Sequence, residues 1–252
     1  MYRENLAFIH HRGFGGFTRA VAPELLKLFR THGVEGGSVV DLGCGDGTWL
    51  RALTRDGFAA TGIEQSAAFV RLARRAAPAA TVRHASLHRA ALPRCDAITA
   101  LGEVFNYLPA GAARPSLLPL FRRAHAALRP GGLLIFDLLV AGRPMNYETW
   151  ASGRGWAVLV RVEEDRRRAR LTRTIVAFRR RGARYERDDE THLLHVPTRA
   201  GVLADLRRAG FKARATRHHG AHALAPRRLA FVAQQVRRLR QPARGAKVRR
   251  RA

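Results

Sequence analysis

The chain is poor in several residue types, and each shortage excludes a class of protein. Its 252 residues include two cysteines, Cys44 and Cys95, which are too few for the disulfide framework of a small secreted domain and fit a reducing compartment. The longest apolar stretch runs from Gly131 to Gly142, is interrupted by Asp137 and is too short to span a bilayer. Residues 1–13 contain no apolar run of the kind found in a secretory leader. We therefore expect a cytoplasmic protein that is not anchored in a membrane.

Acidic residues are also scarce. The chain has 46 basic and 19 acidic residues, a net charge of +27, and only three of the basic residues are lysines. Such an excess is typical of proteins that bind nucleic acid. Arginine and alanine both have GC-rich codons, however, so a GC-rich genome explains the same excess. The last segment, 236–252, has eight basic residues and no acidic one, and we expect this basic tail to be disordered.

The rest of the composition is that of a globular protein, with 46% hydrophobic residues. From Ser38 onward, short β-branched or apolar segments alternate with segments of helical periodicity. This alternation predicts a parallel sheet with helices on both faces. The predicted strands are 38–42, 59–64, 81–85, 97–101 and 133–137, and the predicted helices between them are 49–54, 67–77 and 116–128.

Two further regions flank this alternation. Residues 1–35 indicate a helical cap or lid, in which the glycine-rich segment 10–16 separates two helical pieces and Pro23 begins the second. After the fifth strand, strands at 156–162, 169–178 and 184–195 follow one another without a helix, so we expect an antiparallel insertion over about 147–196. Thr198 is expected to cap a helix over 199–209, and strands at 211–216 and 229–233 complete a domain that covers 36–235.

One loop carries most of the chemical information. Asp41-Leu42-Gly43-Cys44-Gly45-Asp46-Gly47 follows the first predicted strand and begins a helix. Its glycines allow a sharp turn and a close approach of a ligand to the backbone, and the helix beyond offers free N–H groups. Glu64 ends the second strand, where its carboxylate can accept hydrogen bonds from both hydroxyls of a ribose. A ligand that contains a nucleoside is therefore predicted, and the glycine spacing differs from that of nicotinamide binders.

This loop, Glu64 and the turn Leu128-Arg129-Pro130-Gly131-Gly132 resemble the class I S-adenosylmethionine-dependent methyltransferases. The resemblance implies an α/β fold with a doubly wound Rossmann-like methyltransferase sheet, here with a small antiparallel β insertion after the fifth strand. It implies S-adenosylmethionine as the cofactor, with Asp41 near the methionyl amino group, Glu64 on the ribose and Gln65 under the adenine. Ser86 stands where the family usually has an acidic residue for the adenine amino group. The implied cofactor-binding residues are Asp41, Gly43, Cys44, Gly45, Gly47, Glu64, Gln65, Ser86, Leu87, Leu101 and Gly102.

The acceptor is expected beside the fourth and fifth strands. We predict that Phe14, Tyr107, Tyr147 and Trp150 form its walls. His11, beside the glycine-rich segment, and Glu103, after the fourth strand, are the candidate catalytic residues, His11 as a general base and Glu103 to orient the acceptor. No metal is expected, because His192 and His195 would face opposite sides of a strand and the histidines at 218–222 have no carboxylate or cysteine beside them.

These residues favour a methyltransferase that acts on an oxygen or nitrogen of a small-molecule acceptor. Two alternatives stay open. An RNA methyltransferase would use the basic surface and tail, although the chain lacks the Asn/Asp-Pro-Pro-Tyr/Phe signature of enzymes that methylate the amino group of a base. A non-catalytic nucleotide-binding protein would keep the loop and Glu64 without an acceptor site. The sequence does not determine the oligomeric state.

Overall fold

A computed structural model describes residues 2–107 and 116–236 of the chain. Its central element is a seven-stranded sheet in the order β3-β2-β1-β4-β5-β13-β10. The first five strands along the chain are parallel, whereas β13 pairs antiparallel with β5 and β10 pairs antiparallel with β13. These strands are β1 (Ser38–Leu42), β2 (Ala59–Glu64), β3 (Thr81–His84), β4 (Cys95–Ala100), β5 (Leu128–Leu139), β10 (Phe211–Thr216) and β13 (Arg228–Gln235).

Helices cover both faces of this sheet. On one face, α2, α3 and α4 bury an apolar cluster that includes Phe29, Trp49 and Val70; on the other, α5 and α6 bury one that includes Phe121 and Leu206. The helices are α1 (Glu4–Ile9), α2 (Gly16–Thr31), α3 (Thr48–Arg55), α4 (Ala67–Ala76), α5 (Leu118–Ala127) and α6 (Arg199–Arg208). Two-sided burial explains why the central strands β1 and β4 and the second half of β5 are mostly apolar, whereas the edge strand β3 has one buried residue in four. The predicted doubly wound α/β fold is confirmed.

A second, antiparallel sheet lies after β5 and is called the cover sheet here. It consists of β6 (Tyr147–Gly153), β7 (Trp156–Asp165), β8 (Arg170–Arg181) and β9 (Arg184–His195) in chain order. Helix α1 packs on it, with Leu6 and Ile9 buried against Trp156, Val158 and Ile175. An isolated β-bridge between Tyr107 and Leu194 joins the cover sheet to the loop after β4. The short strands β11 (His218–His219) and β12 (His222–Ala223) form a separate hairpin.

The N-terminal region differs from the prediction. His10–Phe14 form a π-helical turn that continues from α1, so the glycine-rich segment stays helical up to Gly15. Helix α2 begins at Gly16, and Pro23 lies inside it instead of beginning it. A proline inside a helix removes one backbone hydrogen bond, and the packing of Val21, Leu25 and Phe29 in the core supports α2 around that defect.

Two further differences concern strands. The cover sheet has four strands, because Tyr147–Gly153 also pairs, although its side chains are mostly exposed and show no apolar alternation. Strand β5 starts at Leu128, and its register against β4 shifts between Cys95 and Ala97 to accommodate the Arg-Pro-Gly-Gly turn. The predicted Thr198 cap is present, since its Oγ1 accepts a hydrogen bond from the Gly201 amide at 3.0 Å. The basic tail predicted to be disordered lies outside the described residues except for Val236.

Candidate active site

A large cavity lies between the carboxyl ends of the parallel strands, the N-terminal helices and the cover sheet. Its volume is about 1210 Å³, which exceeds the 300–1,000 Å³ that is typical of a site for one small molecule. Its walls come from the loops after β1, β2, β3 and β4 on one side and from residues 2–18 and the cover sheet on the other. This position is where ligands bind in open α/β sheets. The space is sufficient for a cofactor and a second molecule.

Asp41, near the end of β1, is buried in the cavity wall. Its Oδ1 accepts a hydrogen bond from the Thr99 hydroxyl at 2.7 Å, and Thr99 Oγ1 in turn accepts one from Trp49 Nε1 at 3.0 Å. Burial raises the pKa of Asp41 to about 7, although the bond from Thr99 opposes that rise. A buried carboxylate of this kind would be stabilised in its ionised form by a cationic ligand group.

Glu64 ends β2 beside the same loop. Its two carboxylate oxygens accept hydrogen bonds from the amides of Gly45, at 3.1 Å, and Ser66, at 2.8 Å. Burial raises the pKa of Glu64, and these two bonds counteract part of the rise. Gly45 has a φ of 53° and faces open space at the cavity, so no side chain separates its backbone from a ligand.

Glu103, one of the two predicted catalytic residues, is bound by two arginines. Arg173 from β8 donates to its Oε2 at 2.8 Å, and Arg228 from β13 donates to its Oε1. Burial raises the pKa of Glu103, but the two guanidinium groups outweigh this effect and hold the pKa below its ordinary value. The carboxylate is therefore ionised, and the two guanidinium groups balance its charge. This makes Glu103 a poor proton acceptor for a substrate.

The backbone at Glu103 has an unusual conformation. Gly102 and Glu103 both have positive φ values, 83° and 64°, and their amides donate to the two carboxylate oxygens of Asp137 at 2.9 and 3.0 Å. A non-glycine residue in this region is strained, so the buried Asp137 must hold it there. This turn directs the Glu103 side chain toward Arg173 and Arg228.

An aromatic cluster forms the part of the wall nearest the cover sheet. The hydroxyl groups of Tyr2 and Tyr107 lie 3.4 Å apart, and both rings pack against the ring of His192 with centroid distances of 5.1 and 5.6 Å. His192 Nε2 lies 2.9 Å from Glu190 Oε2. Tyr2, His192 and Glu190 are not among the residues predicted for the site, although a glutamate two residues before a histidine on a strand shares its face.

The structure brings most of the predicted site residues together. Phe14, Glu103 and Tyr107 line the cavity. So do all the residues implied in cofactor binding except Gly47, namely Asp41, Gly43, Cys44, Gly45, Glu64, Gln65, Ser86, Leu87, Leu101 and Gly102. Gly47 instead packs against α4, where an added Cβ would lie 2.7 Å from Ala73 Cα.

Three other predicted residues lie outside the cavity wall. His11 is directed toward Asp46, with 2.7 Å between its Nδ1 and the carboxylate, and its side chain is 42% exposed. Tyr147 and Trp150 lie on the edge strand β6 and are 43% and 73% exposed. Trp150 is the cross-strand partner of the exposed Leu159, on the face of the cover sheet that points away from the cavity. The neighbouring His10, rather than His11, lines the cavity.

Within the described parts of the chain, no three histidine, cysteine or acidic side chains are grouped closely enough to hold a metal ion. Likewise, none of the helices over residues 2–107 and 116–236 is long and apolar enough to cross a membrane.

The chain is similar in sequence to a known methyltransferase. A curated relative, the dTDP-3-amino-3,6-dideoxy-alpha-D-glucopyranose N,N-dimethyltransferase of Streptomyces fradiae, is 29% identical over 128 residues. The alignment covers 50% of this chain and 49% of the relative, so the chain spans about half the length of the curated protein that it matches.

Solved structures match over nearly the whole chain. An S-adenosylmethionine-dependent methyltransferase from Clostridium acetobutylicum has a TM-score of 0.78 at 14% identity, covering 91% of this chain and 97% of the other. A sugar N-methyltransferase from a Streptoalloteichus species has a TM-score of 0.75 at 22% identity, covering 94% and 95%. At these identities the likeness shows the fold. A family model described as a methyltransferase domain matches residues 8–216, and the chain belongs to that family.

Proposed function

We propose that this protein transfers a methyl group from S-adenosylmethionine to the nitrogen of an amino sugar, a small-molecule acceptor. The observation that carries the proposal is one large cavity, which joins the loop of Asp41 and Gly45 and the carboxylate of Glu64 to a second, aromatic half beneath the cover sheet. The first half suits a nucleoside with a cationic tail. The second leaves space for an acceptor.

The cofactor half supplies groups of the required chemistry. Glu64 offers a carboxylate for the ribose hydroxyls, and Asp41 offers a buried carboxylate for the methionyl ammonium group. When bound, S-adenosylmethionine supplies an activated methyl group on a sulfonium, which is already a good leaving group. The residues of this chain must therefore align the acceptor and exclude water. Residues 1–35 would serve this purpose as the N-terminal cap, because residues 2, 6, 10, 14, 17 and 18 line the cavity opposite the cofactor loop.

The acceptor half supports the choice of an amine. Its walls combine apolar side chains, such as Val158, Val160 and Ile175, with the polar tips of Tyr107 and His192. The Streptomyces fradiae relative is named as the N,N-dimethyltransferase of an amino sugar, and the Streptoalloteichus structure is named as a sugar N-methyltransferase. None of the observations favours the RNA-methylating or the non-catalytic alternative. The candidate site residues that line the cavity therefore keep their proposed roles. Gly47, Tyr147 and Trp150 do not line it, and a residue within the cavity replaces His11 as the candidate base.

The test is direct. The purified protein is incubated with S-adenosylmethionine and dTDP-3-amino-3,6-dideoxyglucose, the kind of compound named for the Streptomyces fradiae relative, and the product is analysed by mass spectrometry. We expect the addition of one or two methyl groups. Methylation of RNA in place of this probe, or no binding of S-adenosylmethionine by calorimetry, would overturn the proposal.

A matched pair of variants tests the cofactor half. Glu64→Ala should weaken the binding of S-adenosylmethionine by roughly 1–3 kcal/mol, the scale of hydrogen bonds to a charged group. Glu148→Ala removes an exposed glutamate on β6 whose partner is Arg161 and should leave the affinity unchanged. Equal affinity in both variants would show that Glu64 does not hold the cofactor.

A further inference from the structure

His192 of the cavity wall belongs to a buried pair of polar residues. Glu190 and His192 lie two residues apart on β9, so their side chains are on the same face of the cover sheet. Their exposed fractions are 6% and 3%, and His192 Nε2 lies 2.9 Å from Glu190 Oε2. Burying a polar pair of this kind costs free energy unless its groups form hydrogen bonds with each other or with a ligand.

The hydrogen bonds assign the protons of this pair. Burial raises the pKa of Glu190, but the bonds from His192 and from the Arg3 amide, which lies 2.9 Å from Oε1, bring the pKa below its ordinary value. An ionised carboxylate only accepts, so Nε2 of His192 must carry the proton that it donates. The neutral ring then has its lone pair on Nδ1. That atom is buried and has no hydrogen-bond partner among the residues that the structure describes.

The other groups that face His192 do not replace Glu190 as the partner of its ring. Tyr2 and Tyr107 pack on its ring, and burial raises the pKa of both hydroxyls, so they stay protonated near neutrality. Arg173 is the cross-strand partner of His192 on β8, but its guanidinium is bound to Glu103. Arg3, before α1, contacts Glu190 and Asp188. The nearest carboxylate to the ring is therefore Glu190, which would stabilise an imidazolium at His192.

We propose that His192, oriented by Glu190, is the base that removes a proton from the acceptor amine. The inference rests on the proposed function, because an amino sugar enters the site largely as an ammonium ion and an ammonium nitrogen has no lone pair. Nδ1 of His192 accepts the N–H proton, and the electron pair of that bond stays on the nitrogen. The nitrogen then forms a bond to the methyl carbon as the carbon–sulfur bond breaks and its electrons move to sulfur. The carboxylate of Glu190 compensates the positive charge that His192 has gained.

The order of orienting carboxylate, imidazole and substrate is the general arrangement by which a histidine is held in one tautomer. Glu190 acts through His192 and is a positioning residue. A second methylation requires the same proton removal from the monomethylated product. The pair can therefore serve both steps of a dimethylation once the imidazolium has returned its proton to solvent.

The first experiment observes the tautomer without turnover. Protein labelled with nitrogen-15 in its histidines is studied by two-dimensional NMR, and His192→Asn identifies the signals of His192. We expect a proton on Nε2 and none on Nδ1 at neutral pH. Glu190→Gln should shift the ring toward the opposite tautomer, because the glutamine amide can donate to Nε2. A wild-type His192 that carries its proton on Nδ1 would overturn the proposal whatever the acceptor is.

The second experiment measures kcat against pH with dTDP-3-amino-3,6-dideoxyglucose as the probe. His192→Asn should lower kcat by about 100-fold or more near neutral pH, the scale of a lost general base. The loss should shrink as the pH rises, because solvent then deprotonates the amine. His195→Asn is the matched control, since His195 lies on the same strand with its Nδ1 bonded to the Ala169 carbonyl at 3.1 Å and should behave as the wild type.

The outcomes separate the two proposals. A wild-type enzyme that methylates the probe, with a His192→Asn variant that is equally slow at every pH or as fast as His195→Asn, would overturn the role of His192 and leave the proposed function intact. A wild-type enzyme that binds S-adenosylmethionine but never methylates an amino sugar would overturn the proposed acceptor and with it the reaction that the pair serves. Circular dichroism of each variant establishes that it is folded.

Discussion

Arg173 of the cover sheet donates a hydrogen bond to Glu103, in the turn after β4, at 2.8 Å. This bond connects the cover sheet to the central sheet across one end of the cavity. Both side chains are largely buried, with exposed fractions of 21% and 7%. Arg228 of β13 contacts the same carboxylate from the central sheet. The cover sheet is therefore held over the cavity by a charged contact as well as by apolar packing, and its orientation depends on a carboxylate that the strained turn presents.

This contact predicts a large effect of a single substitution. Arg173→Met should lower the free energy of unfolding by about 3 kcal/mol, near the lower end of the cost of breaking a buried ion pair, because Arg228 still neutralises part of the charge. Urea denaturation measures the change. Glu148→Ala breaks the exposed pair with Arg161 in the same cover sheet and should have little effect, as exposed pairs contribute little. Equal stability of the two variants would show that the buried pair does not stabilise the fold.

Gly45 and Gly47, in the loop after β1, should differ in how much substitution by alanine destabilises the protein. Gly47→Ala places a Cβ 2.7 Å from Ala73 Cα at a φ of 81°, and should destabilise the protein by about 2–5 kcal/mol through strain and overpacking. Gly45→Ala meets no atom within 4 Å and should cost only the strain of its φ of 53°, about 1–2 kcal/mol.

Gly45→Ala should weaken the binding of S-adenosylmethionine more than Gly47→Ala does, which is the reverse of their effects on stability. A methyl group at position 45 faces the space where the cofactor is proposed to lie, so Gly45→Ala should weaken binding in a protein that is still folded. Thermal denaturation and calorimetry together measure both effects. Unchanged affinity in Gly45→Ala would place the cofactor elsewhere in the cavity.

Asp41 should make the binding of S-adenosylmethionine depend on pH. In the free protein burial raises the pKa of Asp41 to about 7, so much of it is protonated below that pH. A bound ammonium group would lower this pKa, and binding would then release a proton. Affinity should therefore rise with pH between about 5 and 7 and level off above, since the free protein binds more protons than the complex.

Calorimetry in buffers of different ionisation enthalpy measures the released proton directly. Asp41→Asn should abolish the release and flatten the pH dependence of the affinity. A wild-type protein that releases no proton at about pH 6 would show that no cationic group of the ligand lies against Asp41.

The sequence predicts those features of the fold that depend on residues close together in the chain. Strands β1 and β2, the positive φ of Gly45 and the Thr198 cap all follow from residues next to one another in the chain. The loop and Glu64 lie together because the ends of neighbouring parallel strands must meet at one edge of the sheet. The sequence could therefore place the loop and Glu64 on one wall of the cavity, although Gly47 packs against α4 instead.

The opposite wall of the cavity could be predicted only in part, with Phe14 and Tyr107, because most of its residues come from distant parts of the chain. Strand β6 escaped prediction because an edge strand with exposed faces shows no apolar alternation. The contact of Arg173 with Glu103 spans 70 residues, and the contact of Tyr2 with Tyr107 spans 105. Strand periodicity places Glu190 and His192 on one face of β9, but it does not show that His192 borders the cavity.

Two of the residues predicted for the acceptor wall, Tyr147 and Trp150, do not line the cavity. Trp150 lies on the outer face of the cover sheet and is 73% exposed, so Trp150→Ala should leave kcat and the KM of the acceptor unchanged. Tyr107 lines the cavity, and its hydroxyl lies 3.4 Å from that of Tyr2.

Tyr107→Phe keeps the ring against His192 but removes this hydroxyl, and should raise the KM of the amino sugar probe by about 2- to 10-fold, the scale of one neutral hydrogen bond. The affinity for S-adenosylmethionine should stay within about twofold, because Tyr107 belongs to the aromatic cluster beside the cover sheet and not to the loop after β1. Steady-state kinetics with each substrate varied in turn measure both constants. If Trp150→Ala, and not Tyr107→Phe, changed the KM of the acceptor, the acceptor would have to bind on the outer face of the cover sheet, and the cavity would serve the cofactor alone.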